Sequence, residues 1–374
     1  MSQLSELPTP SLVLDHARLD RNLTRMAERM RALGVDLKPH LKTAKSAEIA
    51  RRATQGFSGG ITVSTLAEAA YFAEAGFRDI TYAVGIVPAK LEEAAALIRR
   101  GVELTLVSDH PAMARAAGEQ GDKLGVRFPL LIEIDTGSGR AGLDPDSALL
   151  IDVARAVTEG GSELVGVLTH AGHSYDAKGP EELRRVAEQE RAGVARASER
   201  LRQAGFAIKR VSAGSTPTAA FAERLQGVTD MRPGIYMLGD LMQAAIGSCA
   251  VEDIAVSVLA SVIGAYPERN QVLIDAGSLA LSADRSANSR WADVGYGWVL
   301  NEAGRRLDGL YVASVHQEHG FVTSHAPLPF ERLQPGTRLR ILPNHGCITA
   351  AAYDRYHVLE GGEVVAEWER VNGW

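Results

Sequence analysis

Residues 61–108 read ITVSTLAEAAYFAEAGFRDITYAVGIVPAKLEEAAALIRRGVELTLVS. Three short apolar or β-branched runs, at 61–65, 79–84 and 103–108, alternate here with two longer stretches. In those stretches, 66–75 and 90–100, Ala, Leu, Glu and Arg recur at i, i+3 and i+4. Strand-length runs alternating with helical periodicity argue for a parallel α/β sheet. The alternation extends in both directions. Further runs at 36–41, 128–135, 164–170, 208–214 and 231–238, with helical patterns at 147–158 and 181–203, bring the count to eight strand–helix units. Eight units predict a closed (β/α)8 TIM barrel in place of an open, doubly wound sheet.

After about Asp240 the long helical patterns cease. Strand-like runs at 254–263, 272–275, 310–316, 338–342, 347–352, 357–359 and 364–368 follow one another, punctuated by Gly and Pro. They predict a C-terminal, mostly antiparallel β domain. The run 11–15 is expected to be its N-terminal strand, since eight barrel strands are already counted. The expected organisation is a barrel over 16–244 and a β domain over 1–15 and 245–374.

The 374 residues carry 40 Lys+Arg against 46 Asp+Glu, a formal charge of −6. Without a basic excess, a dedicated nucleic-acid binder is excluded on electrostatic grounds. Two cysteines, Cys249 and Cys347, cannot form a disulfide framework and point to a reducing compartment. The N-terminal residues MSQLSELPTPSLVLD lack a basic segment followed by an apolar core. No apolar run reaches the roughly 18–20 residues of a membrane helix. A cytoplasmic protein with no membrane partner is expected.

In a (β/α)8 barrel the reactive groups gather where the strands end. The first predicted strand runs into Lys-Pro-His-Leu-Lys-Thr, which places Lys42 just past the sheet. If it sits inside the mouth, a desolvated amine there has a lowered pKa and forms a Schiff base readily; otherwise it is a solvated rim lysine. The fifth strand ends in IDTGSGR, which puts Asp135 and Arg140 on a Gly-rich loop at the same rim. The sixth ends in THAGHSY, bringing His170, His173 and Tyr175 together. The seventh ends in SAGSTPT, where Gly214, Ser215 and Thr216 precede Pro217 at a natural helix start. Such a start is either an ordinary capped helix or an anion site, and barrels commonly bind phosphate after strands seven and eight. In RPGIYMLGD, Gly234 and Tyr236 are positioned to complete a phosphate cup. A lysine at strand one and a phosphate cup at strands seven and eight point to pyridoxal 5'-phosphate.

The run LPNHGCI places His345 and Cys347 at i, i+2. On a strand that spacing directs both side chains to one face. An imidazole and a thiolate suit Zn²⁺ first, with Mn²⁺, Mg²⁺ or Co²⁺ as other candidates. Two protein ligands leave room for water and substrate, as in a catalytic site. Without the pyridoxal reading, the pair is a buried thiol beside a polar histidine.

Taken together, PSLVLD, PHLKT, TVSTLAEA, IDTGSGRAG, RPGIYMLGD, VLIDAGS and PNHGC resemble the D-threonine aldolase and D-serine dehydratase family. This family belongs to the alanine racemase-like, fold type III pyridoxal phosphate enzymes. The resemblance runs from about Pro10 to the C-terminus and rests on the order and joint presence of the motifs. It implies a barrel holding pyridoxal phosphate, a C-terminal β domain, and a homodimer with the active site near the subunit interface. It also implies that Lys42 is the Schiff-base lysine, that Arg140 lies near the pyridine nitrogen, and that Ser215, Thr216, Gly234 and Tyr236 hold the phosphate. His345 and Cys347 become the metal ligands. His170 or His173 is a base or stacks near the ring, and the sequence leaves both roles open. Dehydratases of the family resemble this chain in having His-x-Cys at the metal motif, so a dehydratase of β-hydroxy D-amino acids is expected before an aldolase. An amino-acid racemase shares the fold but has no use for the metal pair.

Overall fold

The first barrel strand is short because Pro39 has no N–H to give to a sheet ladder. In the computed structural model, which describes residues 2–374, it spans Asp36–Leu37. The others are Ile61–Val63, Asp79–Gly85, Glu103–Ser108, Pro129–Ile134, Glu163–Thr169, Arg210–Ala213 and Asp230–Met231. From the second onward each pairs in parallel with the next, and the eighth pairs with the first. A parallel bridge between His40 and Thr62 joins the first strand to the second and closes the ring. There the Leu41 N–H donates to the Thr62 carbonyl at 2.8 Å and the Thr62 N–H to the Pro39 carbonyl at 3.0 Å. The barrel is complete, and Lys42 lies one residue beyond its seam.

Helices between the strands include Leu66–Glu74, Pro111–Leu124, Leu149–Glu159 and Pro180–Gln203. The first is capped by Thr65, whose Oγ1 accepts the Glu68 N–H at 2.9 Å, and it buries Leu66, Ala69 and Phe72. The second starts at Pro111 and stops at Gly125, whose φ of +66° suits glycine. At the opposite end of the barrel from Lys42, Arg210 closes the floor. Its Nε donates to Asp230 Oδ1 at 2.8 Å and its Nη1 to Thr81 Oγ1 at 2.7 Å. Burial works against the Asp230 carboxylate, but Arg210 outweighs it and holds the carboxyl below its ordinary value.

Contacts divide the chain into two units: Arg25–Gly234 with Gly373–Trp374, and the residues through Thr24 with Ile235–Asn372. The division falls at 24/25 and 234/235, where the sequence reading placed it at 15/16 and 244/245. The second unit is a ten-stranded sheet. Its long strand Val256–Tyr266 pairs with Gln271–Ile274, with Arg338–Pro343 and with Ser11–Asp15, all antiparallel. Gly320–Thr323, Arg306–Val315 and Gly297–Asn301 continue the sheet from Gln271–Ile274 round to Arg338–Pro343, so six strands close on themselves. Arg355–Glu360 runs parallel to Ser11–Asp15 and pairs with Glu363–Glu369.

Two expected strands differ. The eighth barrel strand was expected over 231–238, but it is only Asp230–Met231, and Ile235–Met237 is a 3-10 turn. Pro233 ends the ladder in the same way that Pro39 ends the first. The expected strand at 347–352 is a helix, Gly346–Ala350, in which the Thr349 N–H returns to the His345 carbonyl at 3.1 Å. An apolar run of this length has no periodicity that tells strand from helix.

Two glycines of the barrel wall, Gly118 and Gly166, sit at contacts that admit no side chain. A Cβ at Gly118 would lie 1.6 Å from the Gly160 carbonyl oxygen, where Pro111–Leu124 meets the end of the next helix. Gly118→Ala is expected to destabilise the protein by about 2–3 kcal/mol, the cost of overpacking a tight contact, and to lower its thermal unfolding midpoint. An unchanged midpoint would show that the two helices part freely.

Candidate active site

A cavity of about 250 Å³ opens at the C-terminal ends of the barrel strands. Lys42, Arg140, His170 and Gly214 line it, together with His40, Ser64, Glu133 and Arg232. The sequence motifs at the ends of strands one, five, six and seven therefore meet in one place. Lys42 lines the mouth and is exposed, the solvated of the two alternatives that its sequence left open. The short first strand brings it to the rim, where the open cavity leaves its amine in contact with solvent.

The two histidines beside it are neutral. His40 is half-buried, and its Nδ1 is buried without a hydrogen-bond partner. Burial, then the charges of Lys42 and Arg232, hold it well below the ordinary histidine value. His170 Nδ1 lies 3.1 Å from the Gly214 carbonyl, an acceptor only, so the proton sits on Nδ1 and the Nε2 lone pair remains. Burial and Lys42 push His170 down to about 3, against the raising effect of the Gly214 bond.

Glu133 and Arg140 come from the same strand and loop. The Glu133 side chain is buried, and burial raises its carboxyl above the ordinary range, opposed by Arg140 at 3.8 Å. Asp135 does not face the cavity as an acid. Its carboxylate accepts the N–H groups of Gly137, Ser138 and Gly139 at 2.7–3.2 Å and shapes the loop that carries Arg140. Arg232 is buried and donates to the Thr169 carbonyl at 2.6 Å and to Ser212 Oγ at 2.7 Å. Its Nε is left without a partner, and burial lowers the guanidinium to about 10.

The loop after strand seven is held from below. Glu190, on the long helix, accepts the Ala171 N–H at 2.8 Å and the Gly214 N–H at 3.1 Å. Gly214 has a φ of +117°, and a Cβ there would come within 2.9 Å of the Arg232 nitrogen. Ser215 caps the helix Thr216–Phe221: its Oγ accepts the Thr218 N–H at 3.2 Å and its own N–H donates to Thr218 Oγ1 at 3.0 Å. Ser215 and Thr216 are buried, and neither lines the cavity. Gly234 packs on the lysine loop, where a Cβ would meet the His40 carbonyl at 2.8 Å. His173 and Tyr175 lie on the 3-10 turn Gly172–Asp176 and also stand outside the lining. His173 is tucked against Gly137. Tyr236 falls in the β unit, where burial raises its phenol.

In the β unit, His345 precedes the helix Gly346–Ala350 and Cys347 lies in its first turn. The i, i+2 spacing is thus realised at a helix start, not along a strand. The two side chains still hydrogen-bond to each other. His345 Nδ1 lies 3.3 Å from Asp284 Oδ2, which leaves Nε2 for another partner. Burial disfavours charge on His345, but Asp284 and Cys347 prevail and push it up to about 10. Asp240 is buried beneath the turn; its Oδ2 accepts the Gly346 N–H at 2.9 Å and its Oδ1 the Gln243 N–H at 2.7 Å. Among the described residues no group of three or more His, Cys, Asp and Glu is arranged to hold a metal ion.

Sequence reasoning assigned no role to His40, Glu133, Arg232, Glu190, Asp240 or Asp284. A charge inside an apolar run is the available signal for Glu133 in LLIEI. For Glu190 and Asp284 the partners are distant in sequence, and local patterns carry no mark of them.

The arrangement defines an enzyme built on the alanine racemase plan: residues 14–242 match the family "Alanine racemase, N-terminal domain", and residues 255–359 match "Putative serine dehydratase domain". The D-threo-3-hydroxyaspartate dehydratase of Delftia sp. (strain HT23) is 45% identical over 99% of both chains. Its solved structure superposes with a TM-score of 0.97 over 100% of each chain. A cysteine-to-alanine variant of that enzyme, described as metal-free, gives the same score over 100% of each chain. The D-serine dehydratase of Dictyostelium discoideum is 32% identical over 95% of this chain and 94% of its own. The chain belongs to the D-serine dehydratase and D-threonine aldolase family of fold type III pyridoxal phosphate enzymes, and it is a lyase. No helix among the described residues is long and apolar enough to cross a membrane.

The two neutral histidines carry a pH signature. Both are held below their unfolded value of about 6.5, so the unfolded chain binds more protons as pH falls. The stability they contribute is present above about pH 6.5 and is lost below it, by up to about 1.4 kcal/mol per pH unit for each ring. Ring NMR signals of His170 should stay those of neutral imidazole from pH 8 to pH 4. A midpoint near 6.5 would show the cavity to be open to water at that ring.

Proposed function

We propose that this chain is a pyridoxal 5'-phosphate- and divalent-metal-dependent dehydratase of β-hydroxy D-amino acids, with a 3-hydroxyaspartate-type substrate first among them. The observation that carries the reading is one chain holding both a lysine-mouthed cavity and a buttressed His345–Cys347 pair. The cavity fits the cofactor: an exposed amine stands in its mouth, and two buried polar atoms (His40 Nδ1 and Arg232 Nε) lack partners in its wall. The pair fits a borderline-soft divalent ion, Zn²⁺ first, because Asp284 fixes the imidazole so that Nε2 points away from it. The substrate assignment is supported by the 45% identity to the Delftia dehydratase. A homodimer and a cytoplasmic site of action are supported by the family resemblance and by two cysteines that form no disulfide.

When bound, the cofactor supplies delocalisation of the electron pair at the substrate's Cα and the metal supplies Lewis acidity toward a hydroxyl leaving group. Lys42 Nζ would hold the cofactor and, as a free amine, would take the Cα proton. His170 Nε2, kept as a lone pair, accepts a hydrogen bond inside the cavity. Arg140, Arg232 and Lys42 together favour anionic groups there. Asp284 orients His345, and Asp240 holds the backbone between the two metal donors. Gly214, Ser215, Thr216, Gly234 and Tyr236 are assigned to the phosphate end, where the Ser215 cap already orders the helix start. In the net reaction the Cα–H and Cβ–O bonds break and water leaves. The released enamine then hydrolyses to a 2-oxo acid and ammonia.

Product analysis with D-threo-3-hydroxyaspartate, D-serine and D-threonine tests the assignment. Ammonia with the corresponding 2-oxo acid is expected, and chelation should lower the rate at least 100-fold while cofactor absorbance persists. Glycine with an aldehyde would establish retro-aldol cleavage instead. Metal affinity, read by chelator competition, should rise about tenfold per pH unit between pH 6 and 9, because binding must displace the proton held on His345 below about pH 10. Asp284→Asn should weaken metal binding by about 10–100-fold. Unchanged affinity in that variant would place the metal elsewhere.

A further inference from the structure

Lys45 lies three residues beyond Lys42 and has a φ of +51°. It is the one non-glycine residue of the barrel unit, among the described residues, in the left-handed region. A long side chain is disfavoured there, and glycine would adopt the conformation without strain. Strain of this kind persists where the surroundings over-determine it, and it concentrates at functional sites. The surroundings here are specific. The Lys45 N–H donates to the Leu41 carbonyl at 2.7 Å, closing a tight turn around Lys42. Its ammonium lies 3.2 Å from Glu68 Oε1, with the lysine side chain 15% exposed and the glutamate 1%. The other oxygen of Glu68 accepts the Ser64 N–H at 2.8 Å, and Ser64 lines the same cavity as Lys42. Glu68 lies in the first turn of Leu66–Glu74, where the helix dipole favours a carboxylate. One buried carboxylate thus ties together the loops that follow strands one and two.

We propose that the Lys45–Glu68 ion pair holds the turn that presents Lys42 to the cavity, which makes both positioning residues for the amine that binds the cofactor. The proposal rests on the assignment of Lys42 as the cofactor-anchoring lysine. Without the pair, the turn loses the contact that compensates its left-handed residue, and Lys42 samples conformations away from the mouth.

The test is the rate at which pyridoxal 5'-phosphate becomes covalently attached to cofactor-free protein. It is followed by absorbance and located by borohydride trapping and peptide mass analysis. Lys45→Met and Glu68→Gln, the latter keeping an acceptor for Ser64, are each expected to slow attachment at Lys42 about tenfold or more and to weaken cofactor binding. Lys45→Arg should restore the unaltered rate. The Lys45→Met/Glu68→Gln double variant should be no slower than the slower single, as expected of two residues acting through one contact. Lys45→Gly, which keeps the backbone conformation and removes the pair, reads the same effect if a single variant folds poorly. Unaltered attachment rates in folded Lys45→Met and Glu68→Gln would overturn the proposal alone, even with a lowered unfolding midpoint. No attachment at Lys42 in the unaltered chain would overturn the cofactor assignment and the proposal with it.

Discussion

The bridge between His40 and Thr62 is the constraint on which the barrel unit turns. Seven of its eight strand junctions are continuous ladders, whereas this one consists of a bridge placed after a proline. Without it the first and second strands would be the two edges of an open sheet. With it, the residues that follow His40 emerge at the rim of the cavity that the ends of strands five to eight also line. Lys42 is therefore positioned by closure itself. The same bridge sets the His40 backbone against Gly234 on the other side.

The electrostatic character of the cavity follows from that crowding. Lys42, Arg140 and Arg232 all act on His40 and His170, and burial acts in the same direction, so both rings are neutral. Burial also works against the carboxylates of Glu133 and Glu190. The result is a mouth with cations and neutral imidazoles, suited to an anion-bearing ligand. A neutral His170 with its proton fixed on Nδ1 can accept at Nε2 but is no cation itself. A division of labour between lysine and histidine is thus set by which group is desolvated, not by residue type.

Much of the fold was legible because both kinds of element have their own period. The alternation in 61–108 is visible in sequence alone, and seven barrel strands lie where the apolar runs are. The eighth was misjudged because RPGIYMLGD is apolar throughout, and only the pairing shows that Pro233 stops the ladder at Met231. What the motifs did convey is placement: Lys42 lines the cavity at the strand ends, and His345 and Cys347 share one helix start. The site was not legible where a buried charge supports a distant loop. Glu190 holds Gly214 from 24 residues away, and Asp284 meets His345 from 61 residues away. A single sequence does not mark such pairs, because each partner is unremarkable in its own neighbourhood.

The His345–Cys347 pair was read from a strand's geometry, and its two side chains come together by a different one. Side chains at i, i+2 share a face on a strand but diverge by roughly 200° on a regular helix. Here only Cys347 is helical: His345 has φ −134° and ψ 98°, so it is extended and stands outside the helix. That junction is itself over-determined. Asp240 occupies the Gly346 N–H, Asn344 donates to the Gly295 carbonyl at 3.0 Å, and Asp284 takes the ring nitrogen. A strand would have offered the same two donors with no such anchoring, since its N–H groups are committed to neighbouring strands. A helix start leaves its first N–H groups free for side-chain acceptors. Three residues spread over about 100 positions in the chain can therefore clamp one turn, and the imidazole and thiol are held in place by it.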